Sequence, residues 1–251
     1  MTVEWVTPPA GVWPAGSRVL TTTRRMPDAA RPGGLDGWNL AAHVGDDPDA
    51  VARNRRALME AAGVSRVQWL TQVHGTRVVE ASAASVLEAP EADAAWTRER
   101  RLAVAVLTAD CVPIALCDRA ASVAAVAHGG WRGLVDGVLA ALVAAAPVAP
   151  GELIAWLGPA IGPAVYEVGE EVTARVAALP DGDRLAATVL RPAGRPGKAL
   201  LDLFELSARL LERLGVGAVY SDRLCTYSDR RFYSYRRDGR TGRMATLVWL
   251  E

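Results

Sequence analysis

Two histidines and one cysteine each stand at the end of an apolar run of residues that is typical of a buried strand. In proteins that combine helices and sheets, side chains at such strand-to-loop points often form ligand sites. We therefore expect the three side chains to meet in one site. They are His74, Cys111 and His128, and the apolar runs are 66–70, 102–107 and 123–127.

Two imidazoles and a thiolate are a suitable ligand set for zinc, and catalytic zinc sites combine three protein ligands with water. The sequence contains only three histidines, and His43 is the one outside this set. The spacings between the three residues are long, so the fold has to bring them together. An ordinary structural role, as a buried thiol or a hydrogen-bonded core histidine, is the alternative for each of them.

The same residues support two further interpretations. In a cysteine hydrolase or amidase, Cys111 would be the nucleophile and His74 or His128 the base. In a structural zinc site or a binding module, a fourth ligand would close the coordination shell, and Cys117 or Cys225 could supply it. Metal content separates these interpretations, because a metal-bound thiolate is not a free nucleophile.

Several other polar residues could act near these three. Asp110, directly before Cys111, could orient a ligand or act as a general base, although an aspartate in a turn is also a common local hydrogen-bonding residue. The glycine-rich turn 129–133 contains Arg132 and resembles an anion site at a helix start. The turn lacks the Gly-Lys-Ser/Thr ending of a P-loop.

A basic segment near the end of the sequence could add to an anion site. The stretch 233–243 is rich in arginine, including Arg236, and a basic loop of this kind is more often simply solvated. Together with Arg132 and Arg55, Arg236 could balance an anionic substrate. Asn54 and Arg55 fall in the middle of a predicted helix, where asparagine is disfavoured, so either could point at the site. An exposed asparagine at a cost of about a few tenths of a kcal/mol is the alternative.

The composition excludes several classes of protein. The 251 residues include 28 basic and 28 acidic side chains, which argues against nucleic-acid binding by bulk electrostatics. No stretch approaches the ~20 apolar residues of a membrane span, and the first residues do not resemble a signal peptide. Three cysteines without paired spacing fit a reducing compartment. We expect a soluble cytoplasmic protein without a membrane partner.

The pattern of elements predicts an α+β fold in a single domain, residues 1–251. A helix is predicted to start at Asp47 and Pro48 and to end at Gly63, and a second to start at a capping box at Asp202 and to end at Gly215. We expect His74 to lie in a hairpin-like connection. The segment 81–101 is predicted as helix and loop, 181–197 as loop apart from a short strand near 187–190, and 231–235 as a strand.

Eight short motifs occur in the order that is known from the YfiH/YlmD family, also called the laccase-domain or polyphenol oxidase group, and the sequence resembles that family from about Asn39 to Arg243. The motifs are Asn39-Leu40 with Val44-Gly45-Asp46, Gln72-Val73-His74-Gly75, Ala109-Asp110-Cys111, His128-Gly129-Gly130-Trp131-Arg132-Gly133, Gly158-Pro159-Ala160-Ile161, Tyr166-Glu167-Val168, Cys225-Thr226 and Ser234-Tyr235-Arg236-Arg237.

The resemblance implies a fold of two mixed β-sheets packed between helix layers, shared with cysteine-hydrolase-like toxins, and a monomer. It implies zinc held by His74, Cys111 and His128. The implied reaction is phosphorolysis of purine nucleosides (adenosine, inosine, guanosine, methylthioadenosine) by inorganic phosphate, with adenosine deamination as a side activity. For this reaction we expect the catalytic residues to be His74, Asp110, Cys111 and His128. We expect the residues that bind substrate or phosphate to be Asn39, Asn54, Arg55, Arg132 and Arg236.

The older family name can be tested by counting ligands. A four-copper laccase requires about ten histidines besides its cysteine, of which the blue-copper site uses only two. The three histidines of this sequence cannot supply them. Copper in the single three-ligand site, in a copper-associated polyphenol oxidase, remains an alternative to zinc.

Overall fold

The computed structural model describes residues 4–25, 35 and 37–251. Within these residues the chain forms fourteen strands and seven α-helices, which confirms the predicted α+β class. The strands are β1 (Trp5–Val6), β2 (Ser17–Thr22), β3 (Arg66–Gln68), β4 (Val78–Glu80), β5 (Ala94–Thr97), β6 (Leu102–Thr108), β7 (Val112–Asp118), β8 (Ala124–Gly129), β9 (Leu153–Leu157), β10 (Glu167–Gly169), β11 (Leu190–Pro192), β12 (Lys198–Leu201), β13 (Ala218–Ser221) and β14 (Met244–Leu250). The helices are α1 (Pro48–Ala62), α2 (Trp131–Asp136), α3 (Val138–Ala145), α4 (Glu170–Ala177), α5 (Gly182–Val189), α6 (Leu203–Arg213) and α7 (Tyr235–Asp238).

Two mixed sheets contain most of the strands. The first has the order β1-β2-β14-β6-β3, and the second has the order β13-β9-β7-β8-β5-β4. In the first sheet only β3 and β6 are parallel, and in the second the outer pairs β13/β9 and β5/β4 are parallel. A third sheet is small and antiparallel, with the strand order β10-β12-β11.

The alternation of side chains along β6 shows how the first sheet is packed. Successive side chains of a strand point to opposite faces. Val104 and Val106 belong to a core that also contains Ala115 and Val126 of the second sheet. Their neighbour Ala105 belongs to another core, with Leu58 of α1 and Leu247 of β14. The first sheet therefore packs against the second sheet on one face and against α1 on the other.

The second sheet is covered on both faces in the same manner. On β7, Ala115 faces the first sheet, whereas Ile114 and Leu116 pack with residues of α2, α3, α4, α5 and α6, such as Leu139 and Phe204. Strands buried on both faces read as continuous apolar runs, as β6, β7 and β8 do. Two mixed sheets between helix layers are the architecture that the resemblance implied.

The two helices with clear start signals are confirmed. The Asp47 carboxylate accepts a hydrogen bond from the backbone N–H of Asp49 at 3.0 Å, and α1 ends at Gly63, whose φ of 67° suits glycine. At the start of α6, Asp202 accepts from the N–H of Glu205 at 3.0 Å. No described helix has the length and apolar character that crossing a membrane requires.

The hairpin-like connection predicted around His74 is wrong. The strand before it, β3, pairs with β6 in the first sheet, whereas β4 after it pairs with β5 in the second sheet. The loop that contains His74 therefore crosses from one sheet to the other. Both strands find parallel partners that are distant in the sequence, which a local pattern does not reveal.

Two predictions in the second half of the chain are also wrong. The segment 181–197, predicted as loop apart from a short strand near 187–190, contains the helix α5, which covers most of the predicted strand, and the strand β11 directly after it. The segment 231–235 is not a strand, because Arg237 draws the chain into a turn by donating to the backbone oxygens of Thr226, Tyr227 and Phe232. The Ser234 hydroxyl then accepts from the N–H of Arg237 and caps α7.

Candidate metal centre

The side chains of His74, Cys111 and His128 meet, as the sequence predicted. One ligand atom from each of the three lies within 4.8 Å of the others, and the Cys111 Sγ is 3.8 Å from the His74 Nε2. His74 lies in the loop after β3, Cys111 in the short turn between β6 and β7, and His128 in the last part of β8. Their role as ligands stays a prediction.

The loop and the turn that present two of these residues have unusual backbone conformations. His74 has a φ of 62° and Asp110, directly before Cys111, a φ of 97°. For residues other than glycine, such conformations cost on the order of 1–3 kcal/mol and persist where the surroundings enforce them. Gln72 helps to hold the loop of His74 in place by connecting it to β6. Its side-chain amide donates to the backbone oxygen of Leu107 at 2.8 Å and accepts from the backbone N–H of Leu107 at 2.7 Å.

One buried carboxylate holds both histidines. The Asp93 carboxylate, which is fully buried, accepts the backbone N–H groups of Val73, His74 and Gly75 at 3.0, 3.0 and 2.7 Å. Its Oδ1 also lies 2.8 Å from the His128 Nδ1. A histidine held through Nδ1 presents Nε2 to a metal, and carboxylates commonly orient metal-binding histidines in this way.

The sequence interpretation missed Asp93. It assigned the segment 81–101 to helix and loop and suggested Asp110 as the carboxylate that orients a ligand. In the structure Asp93 directly precedes the buried strand β5, so a carboxylate next to an alanine-rich run was the available signal. Burial opposes its ionisation, but the hydrogen bonds from His128, Gly75 and Val73 outweigh burial and lower the pKa of Asp93.

The thiol and the imidazole stabilise each other's charged forms. Burial opposes ionisation of Cys111, but the charges and hydrogen bonds of His128 and His74 outweigh it and lower the Cys111 pKa to about 6. Burial favours neutral His128, but Cys111 and then Asp93 outweigh it and raise the His128 pKa to about 9. A thiolate is the form of cysteine that binds metals and attacks electrophiles.

The candidate ligands leave no room for a side chain at Gly130. A Cβ atom on Gly130 would lie 2.5 Å from the His74 Cδ2 and 3.3 Å from the Cys111 Sγ. Gly130 also caps α2, so the turn 129–133 brings the start of this short helix directly against the cluster. Close packing on the ligands therefore explains this glycine, which the sequence interpretation assigned to an anion site.

Asp110 connects the cluster to the last part of the chain. Its Oδ1 accepts from the Thr226 hydroxyl and its Oδ2 accepts from the backbone N–H of Arg236, both at 2.6 Å. These bonds hold the start of α7 against the turn that presents Cys111. Both carboxylate oxygens thus have a structural use, and the catalytic role predicted for Asp110 stays a prediction.

A cavity of about 500 Å³ opens beside the three candidate ligands, a size that suits a small molecule. Besides the ligands and Asp110, its lining includes arginines and aromatic side chains. The arginines are Arg132, Arg236 and Arg243, and the aromatic residues are Trp131, Tyr166 and Tyr235. A larger cavity of about 590 Å³ near Trp5 and Trp249 lies away from this cluster.

Three of the predicted substrate contacts lie outside the lining of this cavity. Asn39 and Asn54 are buried, and the Asn54 amide donates to the backbone oxygen of Asn39 at 2.8 Å. Arg55 donates to the backbone oxygen of Leu40 at 2.9 Å and lies over the Trp69 ring, 4.2 Å from its centre. These contacts brace the segment before α1. Direct contact of Asn39, Asn54 and Arg55 with a substrate therefore has no support from their placement, whereas Arg132 and Arg236 line the cavity.

The fold and the site define an α+β protein with a metal-capable His-Cys-His cluster at the wall of a basic, aromatic cavity. The model of the family described as multi-copper polyphenol oxidoreductase laccase matches residues 18–251. Together with the relatives and structures below, this match shows that the chain belongs to the YfiH/YlmD family.

Two curated relatives are similar over most of their length. The purine nucleoside phosphorylase PA4543 of Pseudomonas aeruginosa is 46% identical over 249 residues, which cover 98% of each chain. The purine nucleoside phosphorylase YfiH of Escherichia coli is 41% identical over 217 residues, which cover 86% of this chain and 87% of that protein.

Two solved structures share the fold. The protein NMB0706 of Neisseria meningitidis superposes with a TM-score of 0.90 at 43% identity, over 98% of this chain and 99% of that one. YlmD of Geobacillus stearothermophilus superposes with a TM-score of 0.88 at 30% identity, over 98% of this chain and 96% of that one.

Proposed function

We propose that the protein is a metal-dependent purine nucleoside phosphorylase. The observation that carries this proposal is the His-Cys-His cluster at the wall of a cavity that contains both arginines and aromatic rings. The names of relatives that are 46% and 41% identical support the same reaction. The proposed substrates are adenosine, inosine, guanosine and methylthioadenosine, with adenosine deamination as a side activity.

Zinc is the proposed metal. The donors of His74, Cys111 and His128 and the carboxylate behind His128 fit zinc, and the adjoining cavity leaves room for a substrate in the fourth position. When bound, zinc would act as a Lewis acid that polarises a substrate oxygen. Copper can also bind to two histidines and a cysteine. The family model is named after multi-copper laccases, but the three histidines of the whole sequence are too few for a four-copper site.

The remaining residues of the cavity would bind and orient the two substrates. Aromatic walls such as Tyr166 and Trp131 suit the flat face of a purine. Arg132 and Arg236 supply positive charge for phosphate. Phosphate held next to the ribose stabilises the cationic, oxocarbenium-like transition state electrostatically. Asp110 would take part in proton transfer, for which one of its two present hydrogen bonds has to open.

The proposal is tested by supplying purified protein of known metal content with adenosine, with and without phosphate, and separating the products. We expect adenine and ribose 1-phosphate to form only with phosphate, in protein that contains about one zinc per chain. Inosine formed without phosphate would assign deamination as the main reaction. A cytoplasmic monomer is proposed as the working form.

A cysteine hydrolase is the second candidate, and the carboxylate behind His128 favours it. In such an enzyme the Asp93 carboxylate would orient His128, and His128 would act as the base that activates the Cys111 thiol. In a hydrolase Cys111 would be free of metal and would react rapidly with iodoacetamide. In a zinc enzyme that alkylation requires removal of the metal first, so the rate before and after chelation separates the two candidates. The Cys111→Ala variant would lose alkylation at this position in either case and serves as the control.

A further inference from the structure

The three arginines that line the cavity differ in what their guanidinium groups already contact. The Arg132 Nη2 lies 3.6 Å from the Glu171 carboxylate, which offsets part of its charge. Both terminal nitrogens of Arg236 donate hydrogen bonds to the backbone oxygen of Glu167, each at 3.0 Å. Each of these two arginines therefore has a protein partner on the outer end of its side chain.

Arg243 has a different set of contacts. Its Nη1 donates to the backbone oxygens of Thr241 and Gly242 at 2.7 and 3.0 Å, and its backbone N–H donates to the Asn39 Oδ1. No described residue accepts a hydrogen bond from Nε or Nη2, and no described carboxylate lies within 4.0 Å of the guanidinium. These two nitrogens form the edge of arginine that binds oxyanions through two parallel hydrogen bonds.

The same edge is used for anions elsewhere in this protein. Arg231 donates from Nε and Nη2 to the Asp229 carboxylate, at 2.9 and 2.7 Å for the Oδ2 atom. Arg195 donates from the same two nitrogens to the two carboxylate oxygens of Glu167. The Arg231 pair is partly buried and Arg195 is exposed, and neither arginine lines the cavity, whereas Arg243 does and has no described partner on this edge.

Arg243 and His43 line the cavity together, and both are affected by burial. Arg243 is partly buried, and burial lowers its pKa, although the negative charges of Cys111 and Asp110 act in the opposite direction. His43 lines the same cavity, and burial and then the charges of Arg243 and Arg55 lower the His43 pKa. An anion bound beside Arg243 and His43 would accept hydrogen bonds from the unused Nε and Nη2 donors of Arg243.

We propose that the Nε–Nη2 edge of Arg243, with His43 beside it, binds the phosphate co-substrate at this cavity. The proposal deepens and rests on the proposed phosphorolysis. In that reaction an oxygen of hydrogen phosphate forms the bond to the anomeric carbon of the ribose. The glycosidic C–N bond breaks, the purine leaves with the electron pair, and the proton of hydrogen phosphate ends on the purine nitrogen.

The test compares Arg243→Gln with Arg240→Gln, a matched control from the same loop. Arg240 donates to the backbone oxygens of Val44 and Gly45 and does not line the cavity. Loss of a bidentate, charge-assisted contact is expected to raise the phosphate KM of Arg243→Gln by about 10- to 100-fold. The nucleoside KM, the metal content and the unfolding temperature of this variant are expected to stay close to those of the wild type. Arg240→Gln is expected to keep the phosphate KM of the wild type. Arg243→Lys keeps the charge but lacks the planar guanidinium, so its phosphate KM is expected to lie between those of the wild type and Arg243→Gln.

Inorganic phosphate is also titrated calorimetrically into the metal-loaded wild type and both glutamine variants. A phosphate KM and phosphate affinity of Arg243→Gln within twofold of the wild type would overturn the assignment of Arg243, while wild-type phosphorolysis would still stand. If the wild type binds phosphate, Arg243→Gln does not, and no nucleoside is cleaved, the anion site stands and the phosphorylase proposal fails. If the wild type neither binds phosphate nor cleaves nucleosides, both proposals fail.

Discussion

The Asp93 Oδ1 lies 2.8 Å from the Nδ1 of His128, and the same fully buried carboxylate accepts the backbone N–H of His74. Two of the three candidate metal ligands therefore depend on one side chain. Through Asp93 the orientation of an imidazole on β8 is coupled to the path of the loop that crosses between the two sheets. This coupling gives the cluster a defined geometry before any metal binds.

We predict that Asp93→Asn weakens metal binding by about 10- to 100-fold, the range found when carboxylates behind metal-binding histidines are removed. The amide retains the size of the side chain, but it loses the charge and one of the two accepting oxygens. Zinc affinity is measured by competition with a chelator.

Asp118→Asn is the control for this experiment. Asp118 is also buried and accepts the backbone N–H groups of Ser122 and Val123, each at 2.7 Å, in a turn that is not part of the cavity lining. This variant is expected to lose stability but to keep the zinc affinity of the wild type. Equal zinc affinities in Asp93→Asn and the wild type would contradict the role assigned to Asp93.

We predict that Gly130→Ala disrupts the cluster without unfolding the protein. The added methyl group would lie 2.5 Å from a carbon of the His74 ring, so the imidazole has to move away. Gly151→Ala is the control, because the nearest atom to its Cβ is 4.0 Å away. Metal per chain, measured by mass spectrometry of digested protein, should fall in Gly130→Ala and stay unchanged in Gly151→Ala. Full metal content in Gly130→Ala would show that His74 is not a required ligand.

We predict that zinc affinity rises with pH. Metal binding requires the Cys111 thiolate and a His128 without a proton on Nε2. In the metal-free protein burial opposes both charged forms, but the neighbouring groups lower the Cys111 pKa to about 6 and raise the His128 pKa to about 9. Between these values Cys111 is ionised and His128 is protonated, so binding releases a proton.

The expected increase in affinity over that range is about tenfold per pH unit, and it is steeper at lower pH, where Cys111 also has to lose a proton. Chelator competition at several pH values gives the slope. Calorimetry in buffers of different ionisation enthalpy counts the released protons. An affinity that is constant from about pH 6 to about pH 9 would contradict the coupled thiolate and imidazolium.

The sequence predicts the features of the site and fold that depend on a few neighbouring residues. His74, Cys111 and His128 follow apolar runs, and the caps at Asp47 and Asp202 mark helix starts. Each apolar run and each helix cap is recognisable from a few consecutive residues. The fold class follows in the same way, because strands covered on both faces have continuous apolar sequences.

The features that the sequence did not predict depend on distant contacts. Asp93 is separated by 35 positions from the His128 that it orients, and β5 behind it consists of alanines, tryptophan and threonine without a strong strand pattern. The connection at His74 looked like a hairpin because its two strands are close in sequence, although each pairs in a different sheet. Asn54 looked like a site residue because it is polar in mid-helix, but it bonds to the backbone of Asn39.

The most direct test of phosphorolysis follows the oxygen that becomes attached to the ribose. Zinc-loaded protein is incubated with adenosine and phosphate in ¹⁸O-labelled water, and the products are analysed by mass spectrometry. If phosphate attacks the anomeric carbon, the ribose 1-phosphate formed contains no oxygen from water, and release of adenine stops when phosphate is omitted. Free ribose in place of ribose 1-phosphate, or adenine release at the same rate without phosphate, would show that water is the nucleophile and would contradict the proposed function.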